Sequence, residues 1–383
     1  MKIVHAGWFQ MGSVHGTHQA LWQLARAHAD AGHEVTILNL GWDLPQEQVD
    51  AAAAGGVRLV GFACPTWNRF WADPGGRLGA LIETLAPDIV HLQYVRIPKF
   101  AAVSRVLVAR GVPYVVSLHG GLKTAEMQRH YWQKQAYWHL VERRVHARAA
   151  AIHFVTRREQ EEYYRTLGRP RAADAVIANI VEPPADAPRW KGAIDTAAPT
   201  LVSLGRYDIW HKGLDLAAAM VRALRQRGVN AQLHLYGAPV GRYDASMEKL
   251  KAEYAELPVV DNGVVTGVEK YVRLAAADCY LQYSRFELFG MSLVEAAAIG
   301  VPLVVSENCD LASELAEAGA ALRIPMDPVQ AADAVAAWLA RPDAAAAAGA
   351  RAHAWRASHC TAAVVGAQML DFYTAARRST PAP

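Results

Sequence analysis

A chain of 383 residues, 52% apolar and 20% charged, has the length of two ordinary domains and the composition of globular ones, which excludes large-scale disorder. A net charge of +3, with no basic repeat and no zinc-type Cys/His spacing, argues against a nucleic-acid partner. The four cysteines, Cys64, Cys279, Cys309 and Cys360, lie far apart without a Cys-x-x-Cys, so reduced thiols are expected rather than a disulfide framework.

The chain opens on Lys2 to Ala6, a short β-like run too brief for a signal peptide, and no segment reaches the roughly 18 continuous apolar residues of a membrane span. A cytoplasmic protein is expected. From Thr17 to Ala31, Ala20, Leu21, Leu24, Ala25 and Ala27 recur at helical spacing, and Gly32 supplies the stop. Further strand candidates follow at Glu34 to Leu38, Asp88 to Leu92, Tyr114 to Ser117 and Ile152 to Val155, separated by helix-like stretches. This alternation predicts a parallel sheet covered by helices on both faces. Between Val181 and Pro199 proline becomes dense and periodicity is lost, as in a linker. The alternation restarts at Thr200 to Leu204 and continues through Gln232 to Tyr236, Cys279 to Gln282, Pro302 to Val305 and Ala321 to Ile324. The expected division is 1–185, a linker at 186–199, a second domain at 200–360, and a helix and tail at 361–383.

The strongest chemical motif is Phe286-Glu287-Leu288-Phe289-Gly290-Met291-Ser292-Leu293-Val294-Glu295, which leaves a strand and enters a helix. A helix beginning near Phe289 or Gly290 offers unpaired N–H groups and a positive dipole end to a phosphate, and Gly290 permits close approach. Glu295, about a turn and a half into that helix, has two acceptor oxygens for a vicinal diol such as a ribose. Gly205-Arg206, with Lys212-Gly213 shortly after, follows the Thr200 to Leu204 strand at the edge where doubly wound sheets bind ligands. Arg206 brings bidentate donors and Lys212 a point charge to a diphosphate.

These residues resemble the GT-B glycosyltransferases, and within them the retaining family 4, or group 1. The likeness spans nearly the whole chain. It rests on Gly205-Arg206 with Lys212-Gly213, on Thr266-Gly267 ahead of a helix, on Ala277-Asp278-Cys279-Tyr280, and on the Glu-x7-Glu stretch followed by Gly300-Val301-Pro302. The resemblance implies two Rossmann-like doubly wound α/β domains facing across a cleft, with a C-terminal helix crossing back to the first. It implies that Arg206 and Lys212 bind the diphosphate, Glu295 the ribose and Glu287 the donor sugar. The Phe289 to Met291 backbone, with Gly290 between them, would meet the phosphates and sugar, and the base would lie near Gly267 and Val268. His119, in Leu118-His119-Gly120-Gly121 after a strand, would lie beside the donor sugar in the catalytic cleft. The family's glycine pair after the first strand is replaced here by Gly12 and Gly16, with His18 or Gln19 where an acid is usual. A plain glycine turn with Thr17 as helix cap is the other reading of Gly16.

No Asp-x-Asp and no cluster with metal-ligand spacing occurs, so metal-independent transfer without a cofactor is expected, the nucleotide sugar being a co-substrate. Glu287 suits electrostatic support better than nucleophilic attack. A UDP-sugar is the favoured donor and GDP-mannose the next, with a glycan, a lipid-linked saccharide or a small molecule as acceptor. A UDP-sugar 2-epimerase of the same architecture and a non-catalytic nucleotide-sugar-binding subunit are the alternative readings. Residues 1–185 carry 20 basic and 15 acidic side chains against 19 and 21 in the rest. That asymmetry fits an acidic or membrane-borne acceptor, and two aromatic stretches, Trp67 to Trp71 and the basic helix from Arg129 to Arg148, suit either core packing or a peripheral contact with the inner face of a membrane.

Overall fold

The computed structural model describes residues 1–379 except 14, 43, 64–72, 74–75, 125–126, 128–129 and 239–243, with the backbone alone at 244–246. The Trp67 to Trp71 patch, Cys64 and Arg129 lie outside the described residues. Two compact units are present, residues 1–180 with 362–383, and residues 181–361.

In the first unit, β1 (Lys2–Gly7), β2 (Glu34–Asn39), β3 (Val57–Gly61), β4 (Ile89–Gln93), β5 (Tyr114–Ser117), β6 (Ala151–Phe154) and β7 (Ala175–Val176) form one sheet in the order β3-β2-β1-β4-β5-β6-β7. Every pairing is parallel. β1 and β2 are buried from their second residue onward, because a sheet covered on both faces needs near-continuous apolar runs rather than alternation. Val4, Leu38, Val90 and Leu92 pack on one face. On the other, Ile3, Ile89, Val115 and Ala151 meet Met369, Phe372 and Tyr373 of the helix Ala362–Ser379.

The second unit repeats the design with β8 (Thr200–Leu204), β9 (Gln232–Tyr236), β10 (Val259–Asp261), β11 (Cys279–Gln282), β12 (Leu303–Ser306) and β13 (Ala321–Ile324), in the order β10-β9-β8-β11-β12-β13. Its pairings are also parallel. Strand order reverses between β1 and β4 in one sheet and between β8 and β11 in the other. Such switch points open a crevice beyond the carboxyl ends of the strands, where ligands bind.

Residues 186–199, expected as a linker, are held to the second unit. The Trp190 and Lys191 amides donate to Ile299 O and Ala275 O at 2.9 and 3.1 Å. Lys191 Nζ pairs with the buried Asp278 at 2.6 Å, and Asp278 also accepts from the Asp195 and Thr200 amides. Proline here removes donors and periodicity without freeing the backbone. Helix Gly16–Asp30 begins one residue before the expected start, so its cap is His15 rather than Thr17, and no side chain caps it.

Candidate active site

At the β8–β11 switch point two loops are tied together. After β8, Asp208 caps the short helix Ile209–Lys212 by accepting from the His211 amide at 3.2 Å. Gly213 then takes φ +61°, and a Cβ there would stand 2.1 Å from Tyr283 O, so only glycine fits between the two loops. Arg285 clamps the same junction, donating to both Asp215 carboxylate oxygens at 2.8 and 2.6 Å and to Trp210 O at 2.8 Å. The His211 ring stacks on Phe286 with centroids 3.9 Å apart.

These ties bring Lys212 Nζ onto Glu287 Oε2. Both side chains are largely enclosed, with 16% and 15% exposure. Burial pushes the Glu287 carboxyl up, but Lys212, His211 and Arg206 outweigh it and its pKa falls below the ordinary value. Glu287 is therefore an anion at neutral pH. Burial lowers the pKa of His211 despite the facing Glu287. Arg206 is exposed and forms no ion pair among the described residues, which leaves its guanidinium open to an anionic ligand.

Glu287 is also fixed from beneath. Gln282 Nε2 donates to Glu287 Oε2 at 3.2 Å and to Ser284 Oγ at 2.6 Å, while Gln282 Oε1 accepts from Tyr280 OH at 2.8 Å. Ser292 Oγ lies 2.7 Å from Tyr280 OH and donates to Leu204 O at 2.9 Å. A buried polar chain thus runs from the end of β8 to the carboxylate. Helix Met291–Ile299 starts after Gly290, whose φ of +68° makes it the N-cap; the first N–H groups of a helix have no intrahelical partner. Phe289 is buried, so only its backbone can meet a ligand.

Glu295, 5% exposed, receives Lys270 Nζ at 2.6 Å. Lys270 lies on helix Gly267–Ala276, where Gly267 is the first residue with φ +59° and Val268 is exposed. A diol reaching Glu295 must share or displace this lysine. Sequence reasoning did not find Lys270, Arg285, Asp215 or the Tyr280–Gln282–Ser292 chain: Lys270–Glu295, Arg285–Asp215 and Ser292–Leu204 join residues 25, 70 and 88 apart, which leave no local spacing signal.

Gly12, Gly16 and His119 belong to the first unit. Gly12 has φ +72° with open space around it, and Gly16 is the first residue of its helix. His119 follows β5 with φ +47°, a left-handed conformation that a non-glycine residue adopts at a cost of about 1–3 kcal/mol. Its Nε2 lies 2.9 Å from Gln93 Oε1, and burial lowers its pKa to about 3. It is a neutral imidazole. Among the described residues no group of three or more His, Cys, Asp or Glu is arranged to hold a metal ion, and no helix is long and apolar enough to cross a membrane.

Two parallel-sheet domains, one carrying cations, a helix start and paired acids at its switch point, define a glycosyltransferase of the GT-B fold. The chain belongs to the group 1 glycosyltransferases: the description "Glycosyl transferase 4-like domain" matches residues 15–179 and "Glycosyl transferases group 1" residues 198–341. It is 25% identical over 334 residues, 79% of this chain and 81% of the relative, to a GDP-mannose:cellobiosyl-diphosphopolyprenol alpha-mannosyltransferase of Xanthomonas oryzae. The enzyme of the same name from Xanthomonas campestris is 26% identical over 344 residues, 87% and 85% of the two chains. The fold matches HepE of Anabaena in complex with UDP and glucose (TM-score 0.73, 15% identity, 97% and 99% covered) and a Rickettsia africae glycosyltransferase (TM-score 0.75, 12% identity, 98% of each chain).

Proposed function

We propose that the enzyme transfers a hexosyl unit from a nucleoside diphosphate sugar to a hydroxyl acceptor, with retention at the anomeric carbon and without a metal ion. The observation that carries this is the convergence of Arg206, the Lys212–Glu287 pair and the start of helix Met291–Ile299 on one switch point. On this reading Arg206 and Lys212 clamp the diphosphate, the amides after Gly290 meet its oxygens, and the leaving charge develops against preset donors. Glu295 takes the ribose hydroxyls, and the base lies toward Gly267 and Val268. Glu287, held anionic, steadies positive charge developing on the sugar ring. The departing phosphate oxygen accepts the proton of the acceptor hydroxyl on the same face, so no enzymic nucleophile is required. His119, in the first unit, is a neutral imidazole that can donate or accept hydrogen bonds and carries no charge.

GDP-mannose moves ahead of a UDP-sugar as the first donor to try, because two relatives are named for it; HepE was crystallised with UDP. The acceptor is a saccharide, free or lipid-linked, and the enzyme works in the cytoplasm with its first unit at the inner membrane face. The test is thermal stabilisation by GDP, UDP and ADP, followed by turnover of the matching sugars with and without acceptor. A nucleotide at a hundredfold its Kd stabilises by about 2.7 kcal/mol. No stabilisation by any of the three nucleotides sinks the proposal, and conversion of donor without acceptor would indicate an epimerase.

A further inference from the structure

Two tryptophans stand out in the loops that follow β1 and β2. Trp8 directly follows β1, Trp42 lies three residues beyond β2, and they are 43% and 42% exposed. Among the described residues of these two loops no other large apolar side chain is exposed. Indole is costly to leave in water, and nothing in the packing of the first unit uses the open part of either ring.

Both loops are pinned by one side chain. Asn39 is fully buried; its Oδ1 accepts from the Phe9 amide at 3.1 Å and its Nδ2 donates to Trp42 O at 3.0 Å. The ladder continues past the strand ends, with the Leu40 amide donating to Gly7 O at 2.9 Å and the Phe62 amide to Asn39 O at 2.8 Å. Gly41 completes the seat: a Cβ there would lie 3.3 Å from Trp8 Cδ1, so the Trp8 ring rests on the backbone just before Trp42. Two half-exposed indoles thus leave adjoining, hydrogen-bonded loops at the carboxyl edge of a parallel sheet, next to its β1–β4 switch point. A buried amide that fixes the backbone beside each exposed ring presents both rings from a set framework, as a recognition surface requires.

We propose that Trp8 and Trp42 form a saccharide-binding platform that seats the acceptor glycan. A hexopyranose ring presents a face of axial C–H groups that stacks on indole while its equatorial hydroxyls stay in water or meet polar neighbours. A half-exposed, rigid ring suits that occupant. A lipid chain would call for an exposed aliphatic surface, whereas in these loops Leu40 is buried and Met11 and Leu44 pack against the core. The proposal rests on the transferase reading for the word acceptor and on the tryptophan geometry for the binding itself.

The test titrates the wild-type enzyme and its Trp8→Ala, Trp42→Ala and Trp8→Phe variants with cellobiose, mannobiose, chitobiose and, as the lipid alternative, farnesyl phosphate. Binding is read by saturation-transfer NMR, and stabilisation by GDP and UDP is measured in parallel. At least one disaccharide should bind the wild type, each alanine variant should weaken it about tenfold, equal to about 1.4 kcal/mol, and Trp8→Phe should restore most of the affinity. Where turnover is available, the loss should fall on the acceptor KM with kcat nearly unchanged. Failure of every disaccharide to bind, unaltered binding in both alanine variants, or binding of farnesyl phosphate alone that both variants weaken overturns the platform. Loss of nucleotide stabilisation in the wild type alone overturns the transferase reading and leaves the platform standing.

Discussion

Glu287 is a largely enclosed carboxylate kept ionised by its neighbours, and that sets what each substitution should do. Glu287→Gln keeps the shape and the hydrogen-bond partners but removes the charge, so kcat should fall about a hundredfold or more while nucleotide affinity changes little. Lys212→Met acts through the same pair in a different way. With the ammonium gone, burial dominates and the Glu287 pKa rises, so the acidic limb of the pH–rate profile should move to higher pH. A limb that stays in place would mean that another group sets it. Glu295 has a separate job, read with 2′-deoxynucleotides. The wild type should lose about tenfold in affinity when the ribose hydroxyl is missing, and Glu295→Gln, already weakened, should lose far less.

At the scale of elements, ten of the thirteen strands among the described residues were legible: nine central ones, which carry apolar runs, and β13 at an edge. The three that were not, β3, β7 and β10, all lie at sheet edges. An edge strand is half-solvated and short, so it lacks the continuous run: β10 is three residues with two of them exposed. The site shows the same division. Glu287, Glu295, Arg206 and Lys212 were legible as a motif, whereas Arg285–Asp215 and Lys270–Glu295 join distant segments and became visible only after folding. Gly213 stood in the motif, but the reason it must be glycine did not, since that comes from Tyr283 O, seventy residues away. Gly213→Ala should destabilise the second unit by about 2 kcal/mol or more, from left-handed strain and the clash together. Urea unfolding measures the cost, and nucleotide affinity should fall with it because Lys212 is the adjacent residue.

The Arg129 to Arg148 stretch resolves into helix Tyr131–Tyr137, a π-helical turn Trp138–Glu142 and helix Arg143–Arg148. Its apolar side chains divide: Trp138 is 3% exposed in the core, while Trp132 is 82% exposed and Leu140 60%. One face of this element therefore packs in the core and the other is left exposed. With Lys134, Arg143 and Arg144 alongside, the exposed face should bind anionic vesicles in preference to neutral ones, in a salt-dependent way. Trp132→Ser should reduce co-sedimentation with anionic vesicles several-fold without changing nucleotide stabilisation.

Across the whole molecule the two units differ in what they bury. On one face of the first sheet the apolar row of Ile3 and Ile89 gives way toward the carboxyl edge to His5, His91, Gln93, Ser117 and His153, roofed by His28 and Tyr373. Hydrogen bonds set the protons along the run from Ile177 to Tyr373. Ile177 O can only accept, so His153 Nε2 donates to it at 2.8 Å, and His153 Nδ1 accepts from Ser117. Ser117 Oγ must then accept from His91 Nε2 at 2.6 Å, and His91 Nδ1 accepts from Tyr373 OH at 2.7 Å. Each ring is neutral, and a second proton on any of them breaks the chain. Burial accordingly lowers the pKa to about 3 at His28, His119 and His146, to about 4 at His153, and well below normal at His5 and His91. A histidine depressed in the folded state contributes stability that is present above its unfolded pKa of about 6.5 and is lost as pH falls toward the folded value, by up to about 1.4 kcal/mol per pH unit each. Glu142 opposes this. Burial raises its pKa to about 7, so its unfavourable contribution fades as pH falls from 7 toward 4.5. One carboxyl does not offset six imidazoles, and a domain has only about 5–15 kcal/mol to lose. Calorimetry from pH 7.5 to 5 should therefore show the first unit melting earlier with each step while the second, with only His211 and His234 depressed, shifts much less. His28 tests the cause, because neither of its ring nitrogens has a protein partner among the described residues. His28→Leu should reduce the pH slope of the first transition by about one proton and hold or raise its midpoint at pH 5; an unchanged slope would place the acid sensitivity elsewhere.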